Sequence, residues 1–173
     1  MIVKELFFKY NLNYLTFYDL ILENNDEFVK VIPEIVFYQK GLWKNNKRID
    51  IIKINITDIP TDLKTIINLM KDNNGFIEIK IKIKKFFNNN NIILKTKFKL
   101  IGIIGSIINN AVKLYANLYI TNDNDLNTNI TVNYTINSFI LNDLNDKINF
   151  HIQNKLENYY IKNIDNYFLH LKK

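Results

Sequence analysis

Apolar and polar residues alternate along much of this chain, and the alternation predicts a sheet with one buried face and one wet face. The clearest run is FIEIKIKIKKF, where isoleucine occupies every second position from Ile77 to Ile83 and charged residues lie between. This pattern is typical of antiparallel sheets. A slip of one residue would bury the charged side chains, so we expect a fixed register that leaves the lysines of residues 76–85 in water.

Six other segments have the composition or the alternation of strands, and polar segments separate most of them. They are Ile2–Tyr10, Ile35–Trp43, Arg48–Ile56, Leu94–Leu100, Val112–Ile120 and Ile130–Ile136. Residues Lys44–Lys47 are the expected hairpin turn between the second and third of these strands. The stretch GIIGSIINN, which contains Gly102 and Gly105, is interpreted as a turn or bulge that interrupts the meander.

Three short segments have the spacing or the capping residues of helices. Residues Tyr14–Leu22 are apolar at helical spacing. Asn25 is placed to cap a second short helix, Asp26–Val31, which Pro33 ends because proline lacks an amide proton. A third helix is expected over Thr61–Met70, where apolar residues recur at intervals of three and four.

The C-terminal part changes from a period of two to a period of about 3.6, which predicts a long amphipathic helix from about Asp143 to Leu171. At 1.5 Å per residue this helix would be about 40 Å long. Its apolar stripe consists of Ile148, Ile152, Leu156, Tyr160, Ile164, Phe168 and Leu171. The sheet is the only apolar partner available to that stripe.

The order of these elements predicts a fold of the α+β class and one domain over residues 1–173. In it, a curved antiparallel sheet of six to seven strands grips the long C-terminal helix, and two short helices follow strand one. No internal repeat is visible, and no linker is long enough to divide the chain.

Composition excludes several classes of function. The 173 residues include no cysteine, which removes disulfide scaffolds, thiolate zinc sites and cysteine nucleophiles. No apolar run approaches the roughly 20 residues of a membrane-spanning helix. The segment MIVKELFFKY alternates charged and apolar residues, unlike a signal peptide. We therefore expect an intracellular, cytoplasmic protein with no membrane span.

The net charge of +6 suggests an anionic partner, but the residues that carry it argue against specific nucleic-acid binding. Arg48 is the only arginine, whereas nucleic-acid surfaces use arginine for bidentate phosphate and base contacts. The lysines are spread along the strands and the last helix. Because asparagine, isoleucine and lysine have A- and T-rich codons, we interpret the excess of lysine as the product of an AT-rich genome.

Residues with catalytic or metal-binding chemistry are few. His151 and His170 do not have the spacing of a metal pair, and no carboxylate completes a site with them. Ser106 lacks the G-x-S-x-G context of a hydrolase nucleophile. Trp43 and Arg48 flank the hairpin, and we interpret them as a tryptophan packed at a sheet edge and an arginine paired with a carboxylate. No catalytic residue, metal site or cofactor is predicted, which favours a non-catalytic protein. An enzyme of the cyclase type stays open as a third alternative, after the ligand-binding and assembly roles given below.

Three segments, together with the order of the elements, resemble a known fold family. Two short helices after strand one are supplied by FYDLILENNDEFVKVIPE. A late hairpin is supplied by GIIGSIINNAVKLYANLYITNDNDLNTNITVNYTI, and a proline-started segment in the meander is supplied by IDIIKINITDIPTDLKTIINL. Their arrangement resembles the helix-grip Bet v 1/StART-like (SRPBCC) superfamily, in particular its small bacterial StART-like and polyketide cyclase-like members. The glycine-rich loop of plant members is not present, since Gly41 stands alone there.

The resemblance implies an apolar cavity between the concave face of the sheet and the C-terminal helix, of the kind that holds sterols, phospholipids, quinones or polyketides. Candidate lining residues are Ile54, Ile79, Ile81, Phe98, Leu114, Leu118, Tyr160 and Ile164. We therefore expect non-catalytic binding of a hydrophobic small molecule or lipid. Two alternatives stay open. These side chains fill a dry core, or the fold is a rigid scaffold with protein partners in a larger assembly, for example of an AT-rich virus or protist.

Overall fold

A single antiparallel sheet is the largest part of the computed structural model, which describes residues 2–59, 61–88, 91–124, 127–138, 150, 154–155 and 161–170. Its strands are β1 (Ile2–Tyr10), β2 (Ile35–Gln39), β3 (Lys47–Ile54), β4 (Ile77–Asn88), β5 (Asn91–Leu100), β6 (Val112–Asn124) and β7 (Asn127–Ser138). Their order across the sheet is β1-β7-β6-β5-β4-β3-β2. All seven predicted strands are present, and the expected α+β fold with a curved sheet is confirmed.

The sheet is a meander of β2 to β7, and β1 is added at its far edge beside β7. Each strand from β2 to β7 pairs with the next one along the chain, whereas β1 pairs with β7. The expected hairpin turn between β2 and β3 is present, because Lys44 and Lys47 form an isolated bridge. Asn45 and Asn46 have positive φ angles of 49° and 59° there. Asparagine tolerates this left-handed region better than most residues.

Short helices lie between the strands and after the last strand. They are α1 (Tyr14–Tyr18), which continues as a π-helical turn over Asp19–Glu23, α2 (Asp26–Val29), α3 (Thr61–Met70), α4 (Ile103–Ala111) and α5 (Ile161–His170). The side chain of Asn13 caps α1 by accepting a hydrogen bond from the Leu15 amide at 2.9 Å. The predicted helices after β1 and over Thr61–Met70 are therefore present, and the first of them contains a π-helical turn that helical spacing alone does not predict.

The interpretation of GIIGSIINN as a turn or bulge is wrong, because this stretch forms α4. Gly102 precedes the helix with a φ of +100°, a conformation that glycine adopts easily. Gly105 lies where a Cβ atom would come within 2.9 Å of the Leu100 backbone, so α4 packs tightly on the end of β5. Asn109 secures this contact, since its amide donates to the Leu100 carbonyl at 2.7 Å and accepts from the Leu100 amide at 3.0 Å.

Two further expectations change at the start of the meander. Asn25 occupies the N-cap position of α2 but makes no capping hydrogen bond, because its side chain donates to the Tyr38 hydroxyl at 2.9 Å instead. The second strand, predicted to reach Trp43, ends at Gln39. Beyond it Gly41 passes so close to β3 that a Cβ atom would lie 2.1 Å from the Ile49 carbonyl oxygen, which only glycine permits.

The two faces of β4 follow the predicted register with one exception. Ile77 and Ile83 are buried on the inner face, whereas Lys82 is exposed on the outer face. Lys85 was expected in water but has the same parity as Ile83. It points to the inner face, with only 16% of its side chain exposed. The pattern of alternation holds through residue 85, and a charged residue occupies the inward position there.

The core fills one end of the inner face, where α1 and its π-helical turn cover the sheet. It consists of Phe17, Tyr18, Leu22, Ile83, Ile92, Leu94, Ile120, Ile130 and Phe168. Large apolar side chains from four strands and two helices thus exclude water from this end. Burial on this scale is the main favourable contribution to folding.

Phe168 is the residue through which α5 enters the core. The centroid of its ring lies 4.9 Å from that of Tyr10 and 5.1 Å from that of Phe17. Ile164, one turn earlier, is half-buried against the same core. For this part of the last helix, the predicted docking of the apolar stripe is confirmed. The other stripe residues lie outside the described residues: Ile148, Ile152, Leu156, Tyr160 and Leu171.

We predict that replacing Phe168 by alanine lowers the free energy of unfolding by about 3–5 kcal/mol, because the change leaves a cavity among its aromatic neighbours, which include Tyr10 and Phe17. Its neighbour Leu169 is 60% exposed and is the matched control. Leu169→Ala should change the free energy by less than about 0.5 kcal/mol. Urea unfolding followed by circular dichroism measures both variants. Equally small losses would show that Phe168 does not anchor α5.

Candidate functional site

Six of the eight candidate lining residues lie on the inner face of the sheet. Residues directly opposite each other in an antiparallel pair share a face. Ile81 lies opposite Phe98, which in turn lies opposite Leu114. Ile54 lies opposite the buried Ile77, and Leu118 lies opposite the buried Leu94. The sixth, Ile79, follows Ile77 by two residues on β4. Of the remaining two, Ile164 is half-buried on α5 and Tyr160 lies outside the described residues.

The inner face has a filled end and a less covered end. At the filled end Ile92 and Ile120 are fully buried and Leu94 is 3% exposed. The less covered end, named here the open end, consists of the half-buried residues Ile54, Ile79, Ile81, Phe98 and Leu114, and only Ile77 is buried beside them. Inward-facing side chains of the same type therefore differ in accessibility along one continuous surface. The open end is where the described residues leave apolar surface within reach of a ligand.

A separate cavity of about 320 Å³ lies between the end of β1 and α5. It is lined by Lys9, Tyr10, Asn11, Leu12, Asp165, Phe168 and Leu169. The Tyr10 hydroxyl donates a hydrogen bond of 2.9 Å to Asp165. Burial raises the pKa of Tyr10, and this hydrogen bond to Asp165 raises it further, so the phenol stays protonated at neutral pH. None of the eight candidate residues lines this cavity.

A buried group of charges lies beside the filled end, between the π-helical turn and strands β3 and β4. The group, named here the charged cluster, consists of Glu23, Arg48, Asp50 and Lys85. Arg48 is 2% exposed, and its guanidinium lies 2.9 Å from Asp50 and 3.7 Å from Glu23, measured between nitrogen and oxygen. Arg48 also donates to the Leu22 carbonyl at 2.8 Å. The interpretation of Arg48 as paired with a carboxylate is therefore confirmed.

Aromatic side chains complete the cluster around Glu23 and Lys85. The Trp43 indole donates to Glu23 at 2.9 Å, and its ring lies under both cations, 4.0 Å from Lys85 Nζ and 4.8 Å from the Arg48 guanidinium carbon. Lys85 reaches Glu23 at 3.3 Å and the Tyr18 hydroxyl at 3.1 Å. The Tyr18 hydroxyl also donates to Glu23. Cation–π contacts of this kind gain strength where water is excluded.

Asp50 accepts hydrogen bonds from two further donors besides Arg48. The Gly41 amide donates to it at 3.0 Å, and so does the Tyr38 hydroxyl at 3.0 Å. The close passage of Gly41 past β3 brings that amide within reach. Asn25 in turn donates to Tyr38. The loop after β2 and the start of α2 are thereby tied to the same buried carboxylate.

The environment of the cluster favours the ionised carboxylate of Glu23 and the neutral phenols. Burial alone would raise the pKa of Glu23, but hydrogen bonds from Tyr18, Trp43 and Lys85 outweigh it and hold the pKa below its ordinary value of 4.5. Burial, and then the hydrogen bond to Glu23, raises the pKa of Tyr18. Burial likewise raises the pKa of Tyr38 to about 12.

This arrangement is suited to holding elements together rather than to proton transfer. The cluster contains two carboxylates and two cations, so its charges balance. Each carboxylate accepts hydrogen bonds from three donors of the chain, which occupy its oxygens and hold the elements together. Among the described residues, no group of histidine, aspartate and glutamate side chains is arranged to hold a metal ion.

The other chemistry-bearing residues of the sequence do not belong to the charged cluster. Ser106 is exposed on α4, and His170 is exposed at the end of α5. His151 lies outside the described residues. No helix in the described part of the chain is long and apolar enough to cross a membrane.

Comparison with known proteins identifies the fold. No protein-family model matches the chain, and no curated protein matches its sequence. A solved structure from Thermus thermophilus superposes with a TM-score of 0.64 over 99% of this chain and 100% of its own, at 8% identity. Ara h 8.0201 superposes with a TM-score of 0.61 over 98% of each chain, at 10% identity. The chain has the helix-grip fold of the Bet v 1/StART-like superfamily.

The same fold is shared by proteins with different activities. Norcoclaurine synthase from Thalictrum flavum, in complex with dopamine and hydroxybenzaldehyde, superposes with a TM-score of 0.57 over 98% of this chain and 87% of its own, at 8% identity. At such identities the likeness establishes the helix-grip fold alone. The function must therefore be argued from the residues of this chain.

Sequence reasoning found Arg48 and Trp43 but not the other members of the cluster. One local signal was available, since Arg48 and Asp50 are two residues apart on a strand and hence on the same face. A second signal was Lys85, which continues the every-second-residue spacing of the inward-facing isoleucines of β4 and therefore belongs to the same face. Glu23 gave no such signal, because only the folded chain brings the π-helical turn to β3.

We predict that Asp50→Ala lowers the free energy of unfolding by about 3–5 kcal/mol, because Arg48 then keeps a buried charge without its main partner. The matched control is Glu27→Ala, which breaks an exposed ion pair with Lys30 on α2. That change should cost less than about 0.5 kcal/mol. Chemical denaturation at neutral pH measures both. Equal losses would show that the cluster is solvated rather than buried.

We predict that the stabilising effect of Glu23 depends on pH. Because the pKa of Glu23 is lowered on folding, its carboxylate stabilises the folded state above its ordinary pKa of 4.5. That contribution is lost as the pH falls through the lowered value. The difference in unfolding free energy between the wild type and Glu23→Gln should therefore be largest near about pH 7 and shrink towards about pH 3. Denaturation curves at the two pH values test this, and a difference independent of pH would contradict it.

Proposed function

We propose that residues 1–173 act as one helix-grip domain that binds a hydrophobic small molecule or lipid, without catalysis, between the inner face of the sheet and the C-terminal helix. The observation that carries this proposal is the contrast between the two ends of the inner face. At the filled end Ile92, Leu94 and Ile120 are at most 3% exposed, whereas at the open end the inward side chains other than the buried Ile77 stay half-buried.

The contrast supports binding because protein interiors are normally packed without gaps. Ile79 and Ile81 face inward but stay half-buried, so a ligand that covers them would bury further apolar surface. The open end is lined on the sheet side by aliphatic and phenylalanine side chains. Apolar lining of this kind recognises an apolar ligand through burial of its surface, with few polar contacts.

A non-catalytic role is supported by the state of a carboxylate that borders the open end. Asp50 lies directly opposite Ile81 in the register. It is 2% exposed and accepts hydrogen bonds from Arg48, Tyr38 and the Gly41 amide. A carboxylate so occupied presents no free oxygen to a ligand. The fold itself is compatible with small aromatic ligands, as the complex of norcoclaurine synthase with dopamine and hydroxybenzaldehyde illustrates.

A role as a structural or interaction subunit is the second candidate, and one observation favours it. On the edge strand β2, Val36 and Phe37 are 48% and 45% exposed, and Leu42 beyond it is 84% exposed. Exposed apolar residues beside an unpaired strand edge are typical of surfaces that contact other proteins. In this alternative the inner face would need no ligand.

We predict that two leucines of the inner face respond differently to truncation. Leu94→Ala at the filled end should lower the free energy of unfolding by about 2–5 kcal/mol. Leu114→Ala at the open end should cost about 1 kcal/mol, because a side chain that borders unfilled space loses fewer contacts. Urea denaturation of both variants is the measurement. Equal large losses would indicate a dry, filled core and would contradict the binding proposal.

Native mass spectrometry of the purified protein tests binding directly. We expect a bound apolar molecule, either carried through purification or taken up from added fatty acid. Leu114→Trp should abolish this adduct by occupying the open end, whereas Leu42→Trp, at an exposed position, should retain it. A wild-type protein that binds neither a co-purified molecule nor fatty acid would favour the interaction subunit.

A further inference from the structure

The outer face of the sheet gathers lysines that are separated in the sequence. The group, named here the lysine grid, consists of Lys80, Lys82 and Lys84 of β4 and Lys95, Lys97 and Lys99 of β5. The register places them in three directly opposite pairs, Lys80 with Lys99, Lys82 with Lys97 and Lys84 with Lys95. Lys47 of β3 extends the third pair to a row of three. The expectation that the lysines are dispersed holds along the chain but not on the surface.

The charges of the grid are not neutralised within the described part of the chain. No described residue forms an ion pair with any of its six lysines. By contrast, the neighbouring Lys53 lies 3.4 Å from Glu78 and 3.8 Å from Asp72. Like charges directly opposite each other on two strands destabilise a sheet. The isolated protein therefore carries a repulsion that an anionic partner would relieve.

Exposed apolar side chains border the grid on the same face. Phe86, two residues beyond Lys84, is 43% exposed, and Ile49, directly opposite Lys82, is 46% exposed. The Nζ atom of Lys95 lies 5.2 Å from the Phe86 ring. The surface thus combines several lysines with a few large apolar groups. This composition is shared by protein surfaces that rest on lipid headgroups.

We propose that the lysine grid docks the protein on an anionic lipid surface. A lipid bilayer presents mobile point charges that adjust to a lattice of lysines, and Phe86 and Ile49 then enter the headgroup region. A nucleic acid fits less well, because the only arginine, Arg48, is buried and the grid lies on the convex face of the sheet. Single strands are bound in grooves that follow their backbone. The proposal stands whether or not the open end holds a ligand.

Vesicle sedimentation tests this docking. The wild type should pellet with vesicles of phosphatidylcholine and phosphatidylserine, remain in solution with phosphatidylcholine alone, and be released by high salt. Each lysine near such a surface contributes about fivefold in affinity, so Lys82→Gln/Lys84→Gln/Lys97→Gln should weaken binding roughly 100-fold. Because it removes repulsion, this variant should melt at or above the wild-type temperature.

The matched control is the triple variant Lys64→Gln/Lys71→Gln/Lys162→Gln, which removes the same number of charges on α3, directly after it and on α5. It should bind the vesicles nearly as the wild type does. Equal weakening by both triple variants would overturn the proposal, since net charge and not the grid would then explain binding. Failure of the wild type to pellet with vesicles that contain phosphatidylserine would also overturn the proposal. Tighter binding to a single-stranded oligonucleotide than to the vesicles at the same salt would assign the surface to nucleic acid and overturn it as well.

Discussion

The buried guanidinium of Arg48 is the constraint on which the placement of the short helices depends. A charge removed from water needs partners, because leaving it unpaired costs several kcal/mol. Arg48 finds Asp50 on its own strand, and it finds Glu23 and the Leu22 carbonyl at the end of the π-helical turn. A helix as short as α1 does not hold its shape alone. These contacts therefore set where α1 lies, and α1 in turn determines which end of the inner face is filled.

The elements that follow from local pattern could be predicted from the sequence. Period-two alternation located β4, and asparagines compatible with left-handed backbone marked the turn at Asn45 and Asn46. The helix α4 is missed although its isoleucines recur at intervals of four, because Gly102 and Gly105 suggest a turn. What decides for a helix is the packing of Gly105 and Asn109 against the end of β5, which is a tertiary contact.

The candidate site likewise has features that the sequence predicts and features that it does not. The inner-face positions of Ile81 and Phe98 follow from parity once the strands are known. The burial differences along that face do not, since they depend on where α1 packs. The charged cluster joins Glu23 to Lys85, two residues that only the folded chain brings together. The lysine grid likewise needs the register, because alternation assigns each lysine to a face but not to its opposite partner.

The pairing of β1 with β7 has a consequence for how the protein is made. Val3 lies opposite Thr135, so the first strand has no partner until nearly the whole sheet has been synthesised. Strands β2 to β6 can pair one after another as they leave the ribosome, since each joins its predecessor. Contacts between residues so distant in sequence form slowly. Besides the edge of β2, the nascent chain therefore carries an unpaired β1 and an unpaired edge on β6 at the same time, and it is most prone to pair with another chain just before β7 arrives.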